Sequence, residues 1–263
     1  MEFIKTLIKN RKLVLQLGKN DFKNKFASTS LGAVWGFIQP FVFMFTYVIV
    51  FQFILKTESS GDYPFIVWYL PGLAMWQIIN DSVINGSNSI RNYSYLVKKV
   101  VFPVDIIPII SLTSSFIVGI FLLVIATSVS VIFGYLPNVL LLVYMIFAAL
   151  CFIISLVRFT SAVTTLVPDF SNLVSVVMQL MFWFTPIMWN VSQLAEYDIL
   201  AKIVKSMPFS YLVTGFRQVF IAEDIITKDN YIYTIIFWLV TVLIYIWGNS
   251  VFKRNKKDFA DVL

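Results

Sequence analysis

The stretch NYSYLVKKVVFPVDIIPI, residues 92–109, places a short polar interruption between two long apolar stretches. It contains two adjacent lysines, one aspartate and two prolines, whereas residues 106–157 carry no charge at all. Such uncharged length is typical of membrane segments, because about 20 apolar residues in a helix cross roughly 30 Å of hydrocarbon. We therefore predict that the interruption is a connector outside the membrane, within an integral membrane protein.

The composition supports the same class. Of the 263 residues, 59% are hydrophobic and 13% are charged, and the mean hydropathy is +0.84, which leaves too little polar surface to cover a soluble domain. The net charge of +6 does not indicate nucleic-acid binding here, since lipid phosphate is the expected counter-charge for basic residues in so apolar a chain.

The uncharged runs predict an all-α integral membrane fold with six transmembrane helices per chain. The predicted spans are residues 31–55, 63–86, two helices within 106–157, 170–195 and 230–252. FGYLPN, residues 133–138, supplies the glycine and proline for the turn between the third and fourth spans. We expect one domain over residues 1–263, with an interfacial helix in 1–26, the bundle in 31–252 and a tail in 253–263.

The basic residues predict the orientation. Fifteen of the 20 lysines and arginines lie before the first predicted span, after the second, after the fourth or after the sixth. Because such residues are retained in the cytoplasm, we expect both termini and the connector on the cytoplasmic side of the inner membrane. Residues 1–26 lack the uninterrupted apolar core of a cleavable signal and favour a helix at the membrane interface, with a solvated basic tail as the alternative.

Several kinds of chemistry are excluded by the sequence. There is no histidine, a single cysteine at Cys151, no GxxxxGK[ST] phosphate loop and no DxD or ExxE carboxylate pair. The chain is therefore expected to hold no metal or cofactor, to catalyse no reaction and to draw energy from elsewhere. Asp81 is nearly the only acidic residue at membrane depth, either as a hydrogen-bonded residue near a helix end or as a transport-coupling group.

Three further stretches accompany the connector: DFKNKFASTSLGAVWGFIQPF (residues 21–41), VPDFSNLVSVVMQLMFWFTPIMW (167–189) and MPFSYLVTGFRQVF (207–220). In this order, the four resemble elements of the permease subunit of bacterial ABC exporters for O-antigen polysaccharides, teichoic acids and capsular glycans. The resemblance implies ATP-driven export of a lipid-linked polysaccharide or teichoic acid, with ATP and Mg²⁺ bound by a separate ATPase. We expect a homodimer with two copies of that cytoplasmic subunit, because one small bundle would not enclose a glycan.

In that family, a short helix between the second and third spans docks into a cleft on the ATPase. We predict a compact helix over about residues 90–100, followed by prolines that fix the angle at which the chain re-enters the membrane. An ordinary cytoplasmic turn is the alternative. The predicted coupling residues are Arg91, Asn92, Tyr93, Leu96, Val97, Lys98, Lys99, Phe102 and Pro103.

Aromatic residues suggest the substrate pathway, since their faces stack on sugar rings and permit sliding. Packing or contact with lipid is the alternative for each one. The predicted pathway residues are Trp35, Phe37, Phe41, Trp68, Tyr69, Trp76, Phe182, Trp183 and Phe184.

Basic residues at the cytoplasmic surface are predicted to attract the diphosphate of a lipid carrier, with retention by anionic membrane lipid as the alternative. These residues are Lys23, Lys25, Arg91 and Arg158.

The segment 195–229 is too polar to span the membrane and is predicted to form short helices, separated at Pro208. The resemblance implies an external gate containing Pro186, Pro208 and Arg217, whereas a simple amphipathic loop is the alternative. Two other functions remain open at this stage: an ABC exporter of a drug or lipid, and a membrane-embedded glycan-modifying enzyme.

Overall fold

The computed structural model describes residues 2–55, 63–98, 102–221 and 231–263, without the side chains of Glu2 and Ile4. Within these ranges the secondary structure is helical, which confirms the all-α prediction. The α-helices are α1 Glu2–Lys9, α2 Arg11–Lys25, α3 Trp35–Val48, α4 Phe65–Ser87, α5 Ser89–Asn92, α6 Ser94–Val97, α7 Ile107–Ile132, α8 Val139–Leu166, α9 Phe170–Phe184, α10 Asp198–Ser206, α11 Pro208–Gln218, α12 Tyr231–Asn255 and α13 Phe259–Val262.

Four helical segments in the described part of the chain are long and apolar enough to cross a membrane: Gly32–Ile54, Val104–Ile132, Val139–Leu166 and Tyr231–Asn255. The first and second of these extend α3 and α7 by tighter or wider helical turns. α4 has 23 residues but carries several polar side chains, and α9 has only 15 residues. The predicted total of six spans therefore stays a prediction.

α4 lies at the centre of the bundle and packs against α7, α8, α9 and α11. Most of its residues are buried, from Phe65 to Ser87. Close approach to α7 depends on a small residue, because a Cβ at Gly119 would lie 2.4 Å from the side chain of Ile78. Small residues at such contacts are typical of helix packing in membranes, where van der Waals contact drives association.

The turn between α7 and α8 is formed by the predicted residues 133–138. Gly134 has a φ of +89°, a backbone conformation that glycine adopts readily because it has no Cβ. The side chain of Asn138 then caps α8 by accepting a hydrogen bond from the amide of Leu141 at 3.2 Å. The prediction of two helices within residues 106–157 is confirmed.

The fifth predicted span is shorter than expected. The segment 170–195 was predicted to be one helix, but α9 ends at Phe184 and a short 3₁₀ turn follows at Val191–Leu194. Pro186 explains the end of the helix, since it disfavours helical dihedrals at the preceding residue, and Thr185 is extended with φ −75° and ψ 133°.

The connector also departs from its prediction. One compact helix was expected over about residues 90–100, whereas two four-residue helices, α5 and α6, are separated at Tyr93. Lys99 was predicted to belong to this helix and lies outside the described residues. Pro108 lies in the first turn of α7, as its missing amide donor favours.

Candidate functional site

A polar stripe runs along the second half of α4. Asn80, Asp81 and Asn85 lie three, four and eight residues after Gln77, so the four side chains share one face of the helix. Asp81 Oδ1 accepts long hydrogen bonds from Gln77 Nε2 at 3.4 Å and Asn80 Nδ2 at 3.5 Å. Asn85 Nδ2 donates to Ser115 Oγ of α7 at 3.3 Å. Polar groups at this depth normally face the bundle interior or a cavity.

The stripe lines a cavity of about 560 Å³, which we call the polar cavity. Its walls come from α2, α3, α4, α7 and α9. The other helices add further amide and hydroxyl groups to the lining, from Gln39 of α3, Ser114 of α7, and Ser175 and Gln179 of α9. Together these side chains supply both donors and acceptors, which suits a ligand rich in hydroxyl groups.

Aromatic rings complete the polar cavity. Of the predicted pathway residues, Trp76, Phe182 and Trp183 line it, and the ring centroids of Trp76 and Phe182 lie 5.8 Å apart. Phe43 and Tyr47 also line it and were not predicted. Rings beside amide groups offer apolar faces for sugar rings and hydrogen bonds for their hydroxyls.

The other predicted pathway aromatics lie elsewhere, so the predicted set does not form one surface. Trp35, Phe41 and Phe184 are exposed on the outside of the bundle. Phe37 packs between Phe22 and Phe121, at centroid distances of 5.2 and 5.0 Å. Two members of the set lie on the first half of α4: Tyr69 is buried in the core and Trp68 lines a different cavity.

The amides of the stripe are absent from the predicted set of pathway residues, which contains aromatic residues only. Their helical spacing is visible in the sequence, but it identifies only a polar face. Contact with α3, α7 and α9 is what turns that face into a cavity wall.

The four predicted headgroup residues do not cluster. Lys25 lines the edge of the polar cavity and pairs with Asp21 at 3.3 Å. Lys23 and Arg91 are exposed, as a headgroup contact requires, but Arg158 is fully buried. A lipid headgroup cannot reach Arg158 in this conformation, because protein side chains surround its guanidinium.

Arg158 belongs to a group of contacts that we call the connector junction. Its Nη2 donates to Asn249 Oδ1 at 3.0 Å and pairs with Asp105 Oδ1 at 3.4 Å. The ring centroids of Phe3 and Phe252 lie 4.0 and 4.3 Å from its guanidinium carbon. The connector junction thereby joins the end of the connector to α1, α8 and α12.

The connector has an inner and an outer face. Tyr93, Leu96 and Val97 are buried, whereas Arg91, Asn92, Tyr95 and Lys98 are exposed. Phe102 and Pro103 are half-buried beyond the second helix. The exposed Tyr95 was not predicted, although an aromatic at such a surface is a typical anchor for a partner.

Tyr93 links the connector to α2 through a hydrogen bond. Its hydroxyl donates to Asp21 Oδ1 at 2.6 Å, across 72 residues of sequence. Burial, and next the hydrogen bond to a carboxylate, raise the pKa of the Tyr93 phenol above its ordinary value. This hydroxyl therefore stays protonated well into the alkaline range.

At the opposite end of α4, the structure brings two of the three predicted gate residues together. Arg217 Nη1 donates to the carbonyl of Pro186 at 2.6 Å and Nη2 donates to the carbonyl of Ile187 at 2.5 Å. The guanidinium carbon lies 3.7 Å from the ring centroid of Trp68. Pro208 occupies the first turn of α11, the helix that carries Arg217.

Within the described ranges, no group of three or more His, Cys, Asp or Glu side chains is arranged to hold a metal ion.

Comparisons with known proteins cover most of the chain. The curated O-antigen export system permease protein RfbA of Myxococcus xanthus is 21% identical over 99% of both chains. A protein of the same name from Klebsiella pneumoniae is 24% identical over 95% of both chains. The sequence pattern of the ABC-2 type transporter family matches residues 12–221, and the chain therefore belongs to this family of multi-pass membrane proteins.

Proposed function

We propose that this chain is the permease of an ATP-driven exporter that moves a lipid-linked polysaccharide or teichoic acid across the cytoplasmic membrane. The observation that carries the proposal is the polar cavity, in which amides and hydroxyls adjoin aromatic rings inside a membrane-spanning bundle. The near full-length similarity to O-antigen export permeases supports the same cargo class. The chain itself makes or breaks no bond of the cargo.

The cavity chemistry suits a glycan. A sugar presents hydroxyls at its edge and C–H groups on its faces, so amides and aromatic rings together match both kinds of surface. Gln77, Gln39 and Gln179 lie on three different helices around the space, and Trp76 and Phe182 supply the rings. A long chain can slide through such a site because no single contact holds it tightly.

A second copy of the chain completes the route. α3 and α9 flank the polar cavity, and their outer faces carry exposed apolar residues, including Val42, Phe45, Val176 and Leu180. We propose that these faces meet in a homodimer, which encloses a longer path than one bundle. After Cys151→Ala removes the native thiol, Val176→Cys on α9 tests this arrangement by crosslinking in membranes.

The ATPase docks on the outer face of the connector in this proposal. Two cytoplasmic ATPase subunits bind ATP and Mg²⁺, and their closure moves the connector, which is fastened to α2 through Tyr93 and to α8 through Asp105. The basic residues near both termini and the connector support a cytoplasmic location for this surface. Lys23, Lys25 and Arg91 are the residues that we propose attract the cargo's diphosphate.

The test is reconstitution of the permease with the ATPase from the same genome in lipid vesicles. A lipid-linked glycan is expected to stimulate ATP hydrolysis, and Gln77→Leu is expected to reduce that stimulation while basal hydrolysis persists. Gln193→Leu is the matched control, because Gln193 is exposed and lies outside the polar cavity. Equal stimulation in both variants would exclude the polar cavity as the glycan route, and absence of stimulation in the wild type would refute the function.

A further inference from the structure

A second cavity of about 510 Å³ lies at the end of α4 opposite the connector. α10 and α11 form much of its wall, and Trp68 of α4 contributes a ring. We call it the arginine cavity, because Arg217 lines it. It lies at the far end of α4 from the polar stripe, so the glycan route proposed above leaves it unassigned.

Arg217 carries a buried positive charge that has no acidic partner among the residues that the structure describes. Only 4% of the residue is exposed, and its hydrogen bonds in the described part of the chain go to two backbone carbonyls. The titratable groups that act on it there are the phenols of Tyr69 and Tyr63. Buried charges in proteins are normally paired, so this guanidinium retains capacity to bind an anion. Each of its two terminal nitrogens has a further N–H to donate.

Ser210 provides a second polar group in the same cavity. It lies seven residues before Arg217 on α11, about two helical turns away and on the same face. Only 2% of the residue is exposed, and among the described residues its Oγ has no hydrogen-bond partner. A buried hydroxyl without a partner is unfavourable, and a ligand oxygen in the cavity would satisfy it.

The rim of the cavity adds charge of both signs. Lys205 and Asp198 of α10 line the cavity as well. Lys202 holds Asp198 in an exposed pair at 2.8 Å, and its hydrogen bond keeps the pKa of Asp198 below the ordinary value. The carboxylate of Asp198 is thus already paired with Lys202, and Arg217 and Lys205 place two positive charges in the lining of the cavity.

From this arrangement we propose that the arginine cavity is a binding site for a phosphate group, carried either by a sugar or by a lipid headgroup. The guanidinium of Arg217 and the amine of Lys205 balance the phosphate charge, and Ser210 donates its hydroxyl. Trp68 supplies an apolar ring beside the phosphate, against which the attached sugar or glycerol group packs. This inference goes beyond the proposed export function and does not rest on it.

The experiment measures binding to the full permease in phosphatidylcholine nanodiscs by titration calorimetry at low salt. Glucose 1-phosphate and inorganic phosphate are expected to bind, whereas glucose is not. Lys205→Gln should weaken phosphate binding by about two- to fivefold, as an exposed charge contributes. Asp198→Asn should strengthen it, because it removes a negative charge from the rim.

Two further variants distinguish phosphate binding in the arginine cavity from nonspecific electrostatic attraction of phosphate to the protein. Lys9→Gln removes an exposed lysine at the connector end of the molecule and should leave phosphate binding unchanged. Ser210→Ala should weaken binding without lowering the thermal stability, since the hydroxyl has no partner to lose in the described part of the protein. If phosphate fails to bind, or if Lys9→Gln weakens binding as much as Lys205→Gln, the proposal is overturned.

Nanodiscs that contain phosphatidylglycerol distinguish the two sources. If the anionic lipid weakens glucose 1-phosphate binding in competition and Lys205→Gln relieves that effect, the lipid headgroup occupies the site. If binding is unchanged in these nanodiscs, a sugar phosphate is the ligand. Both results support a phosphate site, and neither depends on transport or on ATP hydrolysis.

Discussion

The two buried arginines at opposite ends of the bundle have different surroundings. Arg158 contacts a carboxylate and an amide from distant parts of the chain and lies between two phenylalanine rings. Arg217 contacts two carbonyls and one tryptophan ring, with no acidic partner among the described residues. An ion pair between distant parts of the chain holds those parts together, whereas a charge without an acidic partner can bind a ligand or a loop that moves.

The difference indicates which end of the molecule is the more rigid one. At the connector junction, Asp105 binds both Arg158 and Lys256, so one carboxylate joins the connector to α8 and to the residue that follows α12. At the other end, Arg217 holds the loop after α9 only through backbone carbonyls. We expect the connector end to move as one body and the Arg217 end to rearrange more easily.

Removal of the carboxylate at the connector junction should have the largest effect. Asp105→Ala leaves Arg158 buried without its counter-charge, and breaking a buried pair in this way costs about 3–5 kcal/mol. Thermal unfolding of the purified permease in detergent measures the loss. Asp169→Asn is the control, since Asp169 is exposed near the start of α9.

The double variant Asp105→Leu with Arg158→Met sharpens this prediction. It removes both charges and fills their space with apolar groups, so it should be more stable than Asp105→Ala alone. If the double variant is the less stable of the two, the pair is not what makes Asp105 important.

A methyl group beneath Arg217 should have the next largest effect. A Cβ at Gly72 would lie 2.7 Å from Arg217 Nε, so Gly72→Ala must displace the guanidinium from Trp68. Overpacking of this kind costs about 1–3 kcal/mol. The unfolding temperature measures that loss, and the intrinsic fluorescence should shift as Trp68 loses its neighbour.

Arg217→Lys provides the matched partner for a cycle with Gly72→Ala. The slimmer ammonium group needs less space over Gly72, so the double variant should lose less stability than the sum of the single variants. Additive losses would show that the methyl group disturbs α4 by some other contact.

Part of this architecture follows from local sequence signals. Gly134 and Pro137 mark the turn between α7 and α8, and Pro208 separates α10 from α11, because these residues act through their own backbone geometry. The uncharged run extends the fifth predicted span to residue 195, whereas α9 ends at Phe184, because Thr185 precedes a proline and a residue in that position disfavours helical dihedrals.

The composition of the candidate sites depends more on tertiary structure than the positions of the turns do. Arg158 and Asp105 are 53 residues apart, and the positive-inside rule alone assigned Arg158 to the membrane surface. Trp68 and Trp76 are eight residues apart on the same helix, yet they line different cavities. Composition identifies which residues prefer an interface, but only helix packing decides which of them share a cavity.

Loss of the Tyr93 hydroxyl tests how the connector is held to α2, and its expected effect is similar in size to that of Gly72→Ala. Tyr93→Phe removes the hydrogen bond to Asp21 and should cost about 1.5–3 kcal/mol, as for a bond to a charged group. The pKa of Tyr93 is raised above its ordinary value of 10.0, so folding favours the protonated phenol. The advantage of the wild type over Tyr93→Phe should therefore be constant from neutral pH to about pH 10 and shrink as the pH rises further.

The same measurement on Tyr95→Phe is the control, because Tyr95 is exposed in the next turn of the connector. If Tyr93→Phe matches the wild type at neutral pH, the connector is not held by this hydrogen bond. If the difference grows above pH 10, the assigned direction of the pKa shift is wrong.

The smallest effect on stability, but a large effect on assembly, is expected for Tyr95→Ala. Tyr95 is 57% exposed, so its ring contributes little to the fold, whereas an exposed tyrosine often becomes a central contact when a partner covers it. The variant should unfold at the wild-type temperature and bind the ATPase about tenfold more weakly or worse. Tyr197→Ala, on an equally exposed tyrosine near α10, should leave ATPase binding unchanged. The two variants compare the two ends of the bundle directly, because only a substitution at the connector end should weaken ATPase binding. Equal losses of binding in the two variants would contradict docking at the connector.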